Sequence, residues 1–253
     1  MPPPVFALDH VDKRFASGLQ ALSDVSLQVA AGEFVSLLGP SGCGKSTVLR
    51  LVAGLDDASS GQVSAPALSN PNAADTAYVF QDATLMPWAS VFDNVWLPLR
   101  LAGVSRAQAA PRIEAALQSV GLQGFAQAIP AELSGGMKMR ASIARALVTQ
   151  PAALLMDEPF AALDEFTRQK LNGDLLDWWQ ARPLAVLFVT HSVFEAAFLS
   201  QRVLVMGARP GRVVAEVAID EPYPRRPGFR TSTRYTQICA QITQALEAAH
   251  ALA

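Results

Sequence analysis

Five short apolar runs recur along the chain, several of them continuous: EFVSLLG (33–39), TAYVFQ (76–81), AALLMD (152–157), AVLFVT (185–190) and RVLVMG (202–207). Continuous rather than alternating apolarity is the pattern of parallel strands covered on both faces. Helical patterns lie between them, KSTVLRLVAGL after the first run and DEFTRQKLNGDLLDWWQ after the third. Strand and helix in alternation predict a crossover-linked α/β sheet. Two regions break that rhythm. VFALDHVDKRF and ALSDVSLQVAAGE, in the first sixty-odd residues, read as an antiparallel β element joined to the core. From about Asp82 to Gln150 there is no clear strand, only helical stretches such as SRAQAAPRIEAALQSVG, which reads as an inserted helical subdomain. The tail from about Asp220 opens on the proline-rich EPYPRRPG and then offers one terminal helix.

The first strand runs straight into GPSGCGKST, Gly39 to Thr47. Gly, four residues, then Gly-Lys-Ser between a strand and a helix is a phosphate loop. Here Gly39, Pro40, Ser41, Gly42, Cys43 and Gly44 turn backbone N–H groups toward phosphate oxygens. Lys45 brings charge to the β- and γ-phosphates, Ser46 a hydroxyl to Mg²⁺, and Thr47 continues the helix whose N-terminus faces the anion. ATP with Mg²⁺ is the ligand this predicts. Cys43 reads as a small residue within that loop, shielded from alkylation by bound nucleotide.

AALLMDEP ends in two adjacent carboxylates. Neighbours at a strand end point to different sides, so Asp157 is assigned to the metal and Glu158 to the attacking water. Gln81 ends another strand and can reach the metal or the water. His191 ends AVLFVT at the edge where open α/β sheets bind ligands, which makes it a γ-phosphate contact, whereas His10 and His250 read as structural.

Composition narrows the classes. The 253 residues are 51% hydrophobic and 17% charged, enough for a sizeable core. A net charge of -2 gives no basic stripe for nucleic acid. The best apolar run, PLAVLFVT, is far too short to span a bilayer, and MPPPVFALDH does not read as a secretion signal. Two cysteines, Cys43 and Cys239, have no metal or redox spacing, the usage of a reducing, cytosolic setting.

The phosphate loop, Gln81, LSGG (133–136), LLMDEP, ALD (162–164) and His191, in that order, resemble the nucleotide-binding subunit of an ABC transporter over about residues 5–220. The resemblance implies a P-loop ABC ATPase fold with the antiparallel β and helical (about 82–150) subdomains, followed by the tail 221–253. It implies a homodimer in which Ser134, Gly135, Gly136 and Met137 of one chain meet the ATP held by the other. Ala161, Ala162, Leu163 and Asp164 match its dimer-interface loop, and Phe15 its adenine-stacking aromatic. Met137 departs from the usual glutamine of the signature, so a side-chain contact to ribose is lost.

QDATLMPWASVFDNVWLPL resembles the segment that receives a membrane subunit, with Pro87 and Trp88 as docking candidates; Trp96, Trp178 and Trp179 read as core. FQDATLMPWASVFDNV, SGGMKMRASIARALV and the His191 segment are similar to the nitrate, sulfonate and taurine importer branch, which includes importers of thiamine-precursor pyrimidines. The resemblance thus implies integral membrane permease subunits, a periplasmic or extracellular solute-binding protein, no nucleic-acid partner, and a peripheral position on the cytoplasmic face of the membrane. A soluble ABC ATPase working on ribosomes or DNA is the alternative. A P-loop small-molecule kinase leaves LSGG and His191 unexplained.

Overall fold

A computed structural model describes residues 4–69, 75–182 and 184–251. Two sheets organise them. The larger has six strands in the order β5-β6-β7-β3-β8-β9: β3 (Phe34–Leu38), β5 (Thr76–Val79), β6 (Ala153–Asp157), β7 (Ala185–Thr190), β8 (Arg202–Met206) and β9 (Val213–Ala218). Neighbours are parallel except β9, which returns antiparallel on β8. The central strands are buried at every residue of β3 and β7, Ser36 and Thr190 included, as strands covered on both faces are. The smaller sheet, order β2-β1-β4, is the antiparallel element: β1 (Pro4–Arg14), β2 (Gln20–Ala30) and β4 (Ser60–Ser64).

One face of the large sheet packs with β1, β2 and helix α1 (Lys45–Val52); Phe6, Leu22, Leu37, Leu49 and Leu187 belong to that core. The other face carries α5 (Gly135–Leu147), α6 (Glu165–Ala181), α7 (Val193–Leu199) and the terminal α8 (Thr233–Ala251). Phe34 stands at its centre, edge-on to Trp179 at 5.7 Å and tilted against Phe188 at 6.0 Å. A short α2 (Pro66–Ser69) follows β4. Between β5 and β6, α3 (Val91–Leu101), α4 (Arg106–Ser119) and α5 enclose a third core of Val95, Ile113, Leu117 and Ala144. Serine or aspartate caps open α3, α4, α5, α6 and α7 at Ser90, Ser105, Ser134, Asp164 and Ser192, each side chain accepting a backbone N–H.

The α/β class and its antiparallel element are as the sequence predicts. Two strands it did not predict are β4 and β9. β4, SGQVS, is mostly exposed and held by backbone pairing to β1, so it has no apolar run to read. β9 alternates half-buried and exposed residues as an edge strand does. Trp179 is buried as expected. Trp96 and Trp178 are half-buried, their indole N–H groups donating to the carbonyls of Val104 and Ser119. His10 is exposed and paired with Asp24; the His250 side chain lies outside the described residues.

Phe34→Ala removes the ring shared by Trp179 and Phe188. A loss of about 3–5 kcal/mol in unfolding free energy is expected from denaturant titration; a loss below about 1 kcal/mol contradicts this account of the core.

Candidate functional site

Strand register builds the site. Leu38 pairs with Thr190, and Asp157 with Val189, so β3, β6 and β7 end nearly level. The next residues, Gly39, Glu158 and His191, therefore emerge at one edge of the sheet. A cleft of about 250 Å³ opens there, bounded by Phe15, Gly42, Lys45, Thr47, Glu158 and Arg209.

Lys45 is 5% exposed, and its ammonium donates to the carbonyls of Gly39 and Pro40 at 2.8 and 2.9 Å. An ammonium has three donors. Glu158 Oε1, at 3.9 Å, is an ion-pair neighbour outside hydrogen-bond range. The backbone N–H groups of Gly44, Ser46 and Thr47 likewise make no hydrogen bond among the described residues. An anion at the N-terminus of α1 satisfies all of these donors together. Gly44 adopts φ 102°, and a Cβ there would stand 2.6 Å from Leu22 Cδ2. Only glycine fits this turn.

Asp157 and Ser46 meet across the cleft: Ser46 Oγ donates to Oδ1 at 3.0 Å and Tyr78 Oη to Oδ2 at 3.1 Å. A half-buried carboxylate beside a serine hydroxyl at a phosphate loop is a donor set suited to Mg²⁺. Burial pushes the Asp157 carboxyl above its ordinary value, opposed by the Ser46 and Tyr78 hydrogen bonds. Glu158 has φ 46°, uncommon for a residue with a Cβ, and its backbone N–H is tied to Val189 O at 3.0 Å. That conformation brings Glu158 Oε2 within 3.2 Å of His191 Nδ1. Gln81 is exposed two residues past β5, with no hydrogen bond to Asp157 or Ser46 among the described residues. Phe15 lies at the cleft rim with the Lys13 ammonium 5.3 Å from its ring.

One expectation needs correction. The Cys43 thiol is 1% exposed and packs in the core beneath the loop, and burial raises its pKa. Its thiol is turned away from phosphate, and its backbone N–H donates to Pro40 O at 3.4 Å. Slow alkylation follows from that burial alone, with or without nucleotide.

Ser134, Gly135, Gly136 and Met137 sit elsewhere, at the start of α5, and line no part of the cleft. Ser134 Oγ accepts from the Met137 N–H at 3.3 Å, while the N–H groups of Gly135 and Gly136 make no hydrogen bond among the described residues. A Cβ on Gly136 would lie 2.7 Å from Thr167 Cγ2, so glycine permits α5 to approach α6. Leu163 comes within 3.6 Å of a Cβ on Gly135. The stretch Ala161, Ala162, Leu163 and Asp164 thus adjoins LSGG in the same chain, and Asp164 caps α6 through the Thr167 N–H at 2.9 Å.

Three clamps were not anticipated from the sequence. Arg209 donates to Gly42 O at 2.9 and 3.1 Å, bracing the phosphate loop from the turn after β8. Asn94, wholly buried, bonds the backbone of Met86, Ala89 and Ser90, and Trp88 on that loop is 80% exposed. Arg145 of α5 holds the carbonyls of Ala83 and Thr84. Single arginines and asparagines carry no spacing pattern, so only the fold brings them to these loops.

A family model described as ABC transporter matches residues 22–161. The chain belongs to the ABC transporter family. It is an ATP-binding cassette that hydrolyses ATP. Relatives include the taurine import ATP-binding protein of Rhizobium johnstonii, 47% identical over 84% of this chain and 83% of that one. The aliphatic sulfonates import ATP-binding protein of Pseudomonas savastanoi pv. phaseolicola is 43% identical over 95% of this chain and 96% of its own. Among solved structures, a dimeric ATP-binding cassette in a post-hydrolysis state with ADP and Pi is 31% identical, with a TM-score of 0.75, covering 86% of this chain and all of that one.

Asp157 links this cassette's site to its stability. A folded-state pKa above the unfolded one gives stability that is present at low pH and lost as pH rises through the folded value. At pH 7 the ionised group therefore costs stability, and Asp157→Asn should raise the melting temperature of the nucleotide-free chain, by about 2–4 °C per kcal/mol relieved. The gain should shrink on acidification. A lower melting temperature at pH 7 contradicts the sign.

Proposed function

We propose that this cassette is the ATPase subunit of an importer, in which two copies trap ATP between the phosphate loop of one and the LSGG segment of the other. The observation that carries the reading is the pair of helix N-termini with free backbone donors, one at the cleft and one outside it. Residues 1–220 are the nucleotide-binding domain, with about 82–150 as its helical subdomain, and 221–253 are the tail.

Gly39 to Thr47 cradle the triphosphate, Lys45 neutralises the β- and γ-phosphates, and Phe15 packs against adenine. Ser46 and Asp157, with Gln81, would hold Mg²⁺, which would supply positive charge to the phosphate oxygens. Glu158 orients the attacking water and takes its proton as the bond from the γ-phosphorus to the bridging oxygen breaks, giving ADP and Pi. His191, beside Glu158, contacts the γ-phosphate. Ser134 and the N–H groups of Gly135 and Gly136 complete the cage for the partner's ATP, and Met137 leaves the ribose without a side-chain hydrogen bond. Ala161, Leu163 and Asp164 cross the dimer interface, next to Phe166, which is 82% exposed.

The importer reading rests on the relatives named for taurine and aliphatic sulfonates. A small solute of that kind, nitrate-like or pyrimidine-like cargo included, crosses through separate permease subunits after delivery by a periplasmic or extracellular binding protein. Among the described residues no helix is long and apolar enough to cross a membrane. In this reading the cassette meets the permease from the cytoplasmic face. Trp88, lining a cleft of about 280 Å³ with Trp96 and Arg100, and the adjacent Pro87 are the surface offered to it.

Two variants separate chemistry from assembly. Glu158→Gln should bind ATP, hydrolyse it about 10²–10⁴-fold more slowly, and accumulate as a dimer in size-exclusion chromatography; near-normal turnover removes Glu158 from the water. Ser134→Arg should bind ATP as a single chain yet fail to dimerise on it. Normal ATP-driven dimerisation by that variant contradicts the trans assignment.

A further inference from the structure

Glu195 is a carboxylate that the reaction above does not use. It lies on the first turn of α7, 6% exposed, four residues after His191. Its Oε2 accepts the hydroxyl proton of Thr190, the Thr190 oxygen accepts the Ser192 N–H at 3.0 Å, and Ser192 Oγ accepts the Glu195 N–H at 3.3 Å. These three bonds box the turn on which His191 sits. The other oxygen, Oε1, is buried with no hydrogen-bond partner.

Facing Oε1 is Arg168 of α6. Its Nη2 donates to Leu163 O at 2.8 Å, its Nη1 to Glu165 at 3.0 Å, and its Nε to Phe160 O at 3.3 Å. The same Nε is 3.8 Å from Glu195 Oε1. One N–H therefore stands between a carbonyl of the loop leading to Ala161–Asp164 and a buried carboxylate oxygen lacking a donor. From its other side α7 is fixed by the tail: Tyr235 Oη donates to Phe194 O at 2.8 Å, and the Arg230 guanidinium stacks 3.7 Å over the Phe198 ring. Arg230 Nη2 is itself buried without a hydrogen-bond partner, but among the described residues Arg168 is the only cation within 4 Å of Glu195.

We propose that Glu195 is a positioning residue that couples the interface loop to His191, through a choice of acceptor by Arg168 Nε between Phe160 O and Glu195 Oε1. When a partner chain draws residues 161–164 toward itself, Nε passes to Glu195, and the box of Thr190, Ser192 and Glu195 carries the change to His191. Burial raises the Glu195 carboxyl above its ordinary value, so an unpaired charge there is costly and a donor is gained at a profit. The inference rests on the reading of 161–164 as the interface loop.

The test is steady-state ATP hydrolysis by the full chain carrying Glu195→Gln, Arg168→Gln, or both. Each single change should lower kcat about tenfold with little change in KM for ATP, and the double variant should be no slower than the slower single, because one link is broken in each case. Losses that multiply, or a rise in KM with kcat intact, overturn the inference. If Glu195→Gln does not fold, Thr190→Ser and Thr190→Val decide the matter. Serine keeps the hydroxyl and should keep kcat, valine should lose it, and equal rates overturn the inference. ATP-dependent dimerisation is measured alongside. A wild-type chain that never dimerises overturns both this inference and the interface reading, whereas normal dimerisation with multiplying losses overturns this inference alone.

Discussion

Free backbone N–H groups at a helix start must find an acceptor, and this fold presents two such starts that do not share a cleft. α1 begins at Lys45 on the face of the large sheet shared with β1 and β2. α5 begins at Gly135 on the opposite side, packed on α6. Each is an anion site by the same physics, orphan donors plus the helix dipole. Lys45 gives the first a full positive charge. The second has no cation among Ser134, Gly135, Gly136 and Met137, Lys138 coming only at its fourth residue, so in the proposed reading it suits an anion already held by the first kind of site. In the proposed reading, that division leaves neither chain with a complete centre of its own.

The cleft also places charge where the fold would otherwise exclude it. Asp157 and Glu158 stand at the end of β6 and Lys45 at the start of α1, half-buried or buried, and Glu158 holds a left-handed backbone. Each feature costs stability that the apolar sheet behind it must offset. Tyr78 and Ser46 lessen the cost at Asp157 by donating to it. The loops around the site are likewise held by polar side chains, the exposed Arg209 on the phosphate loop, the buried Asn94 on the Trp88 loop and the half-buried Arg145 on the loop after Gln81. Fixed loops let a shift at one surface be felt at another, which scattered flexible ones would absorb.

Much of this was legible in the sequence for a physical reason. Parallel strands need unbroken apolar runs, and a phosphate loop needs its glycines and lysine at fixed spacing, so EFVSLLG and GPSGCGKST could hardly be read otherwise. The strand-end positions of Asp157 and His191 followed from where those runs stop. What could not be read depended on three-dimensional neighbours. The Cys43 thiol belongs to a phosphate loop by sequence and to the core by geometry. β4 has almost no apolar residues and exists because β1 offers it an edge. Arg209 reaches a backbone carbonyl 167 residues away, and Arg145 carbonyls 61 and 62 residues away, pairings that no local pattern encodes.

The central claim is that each reaction centre is shared between two chains, and complementation tests it most directly. Lys45→Ala removes the cation from a chain's own cleft, and Ser134→Arg blocks the cap it offers its partner. In a head-to-tail pair, mixing the two variants places both defects in one centre and leaves the other whole. The account predicts ATP hydrolysis in the mixture that neither variant shows alone. A mixture as inactive as its parts, although the two chains pair, would contradict it.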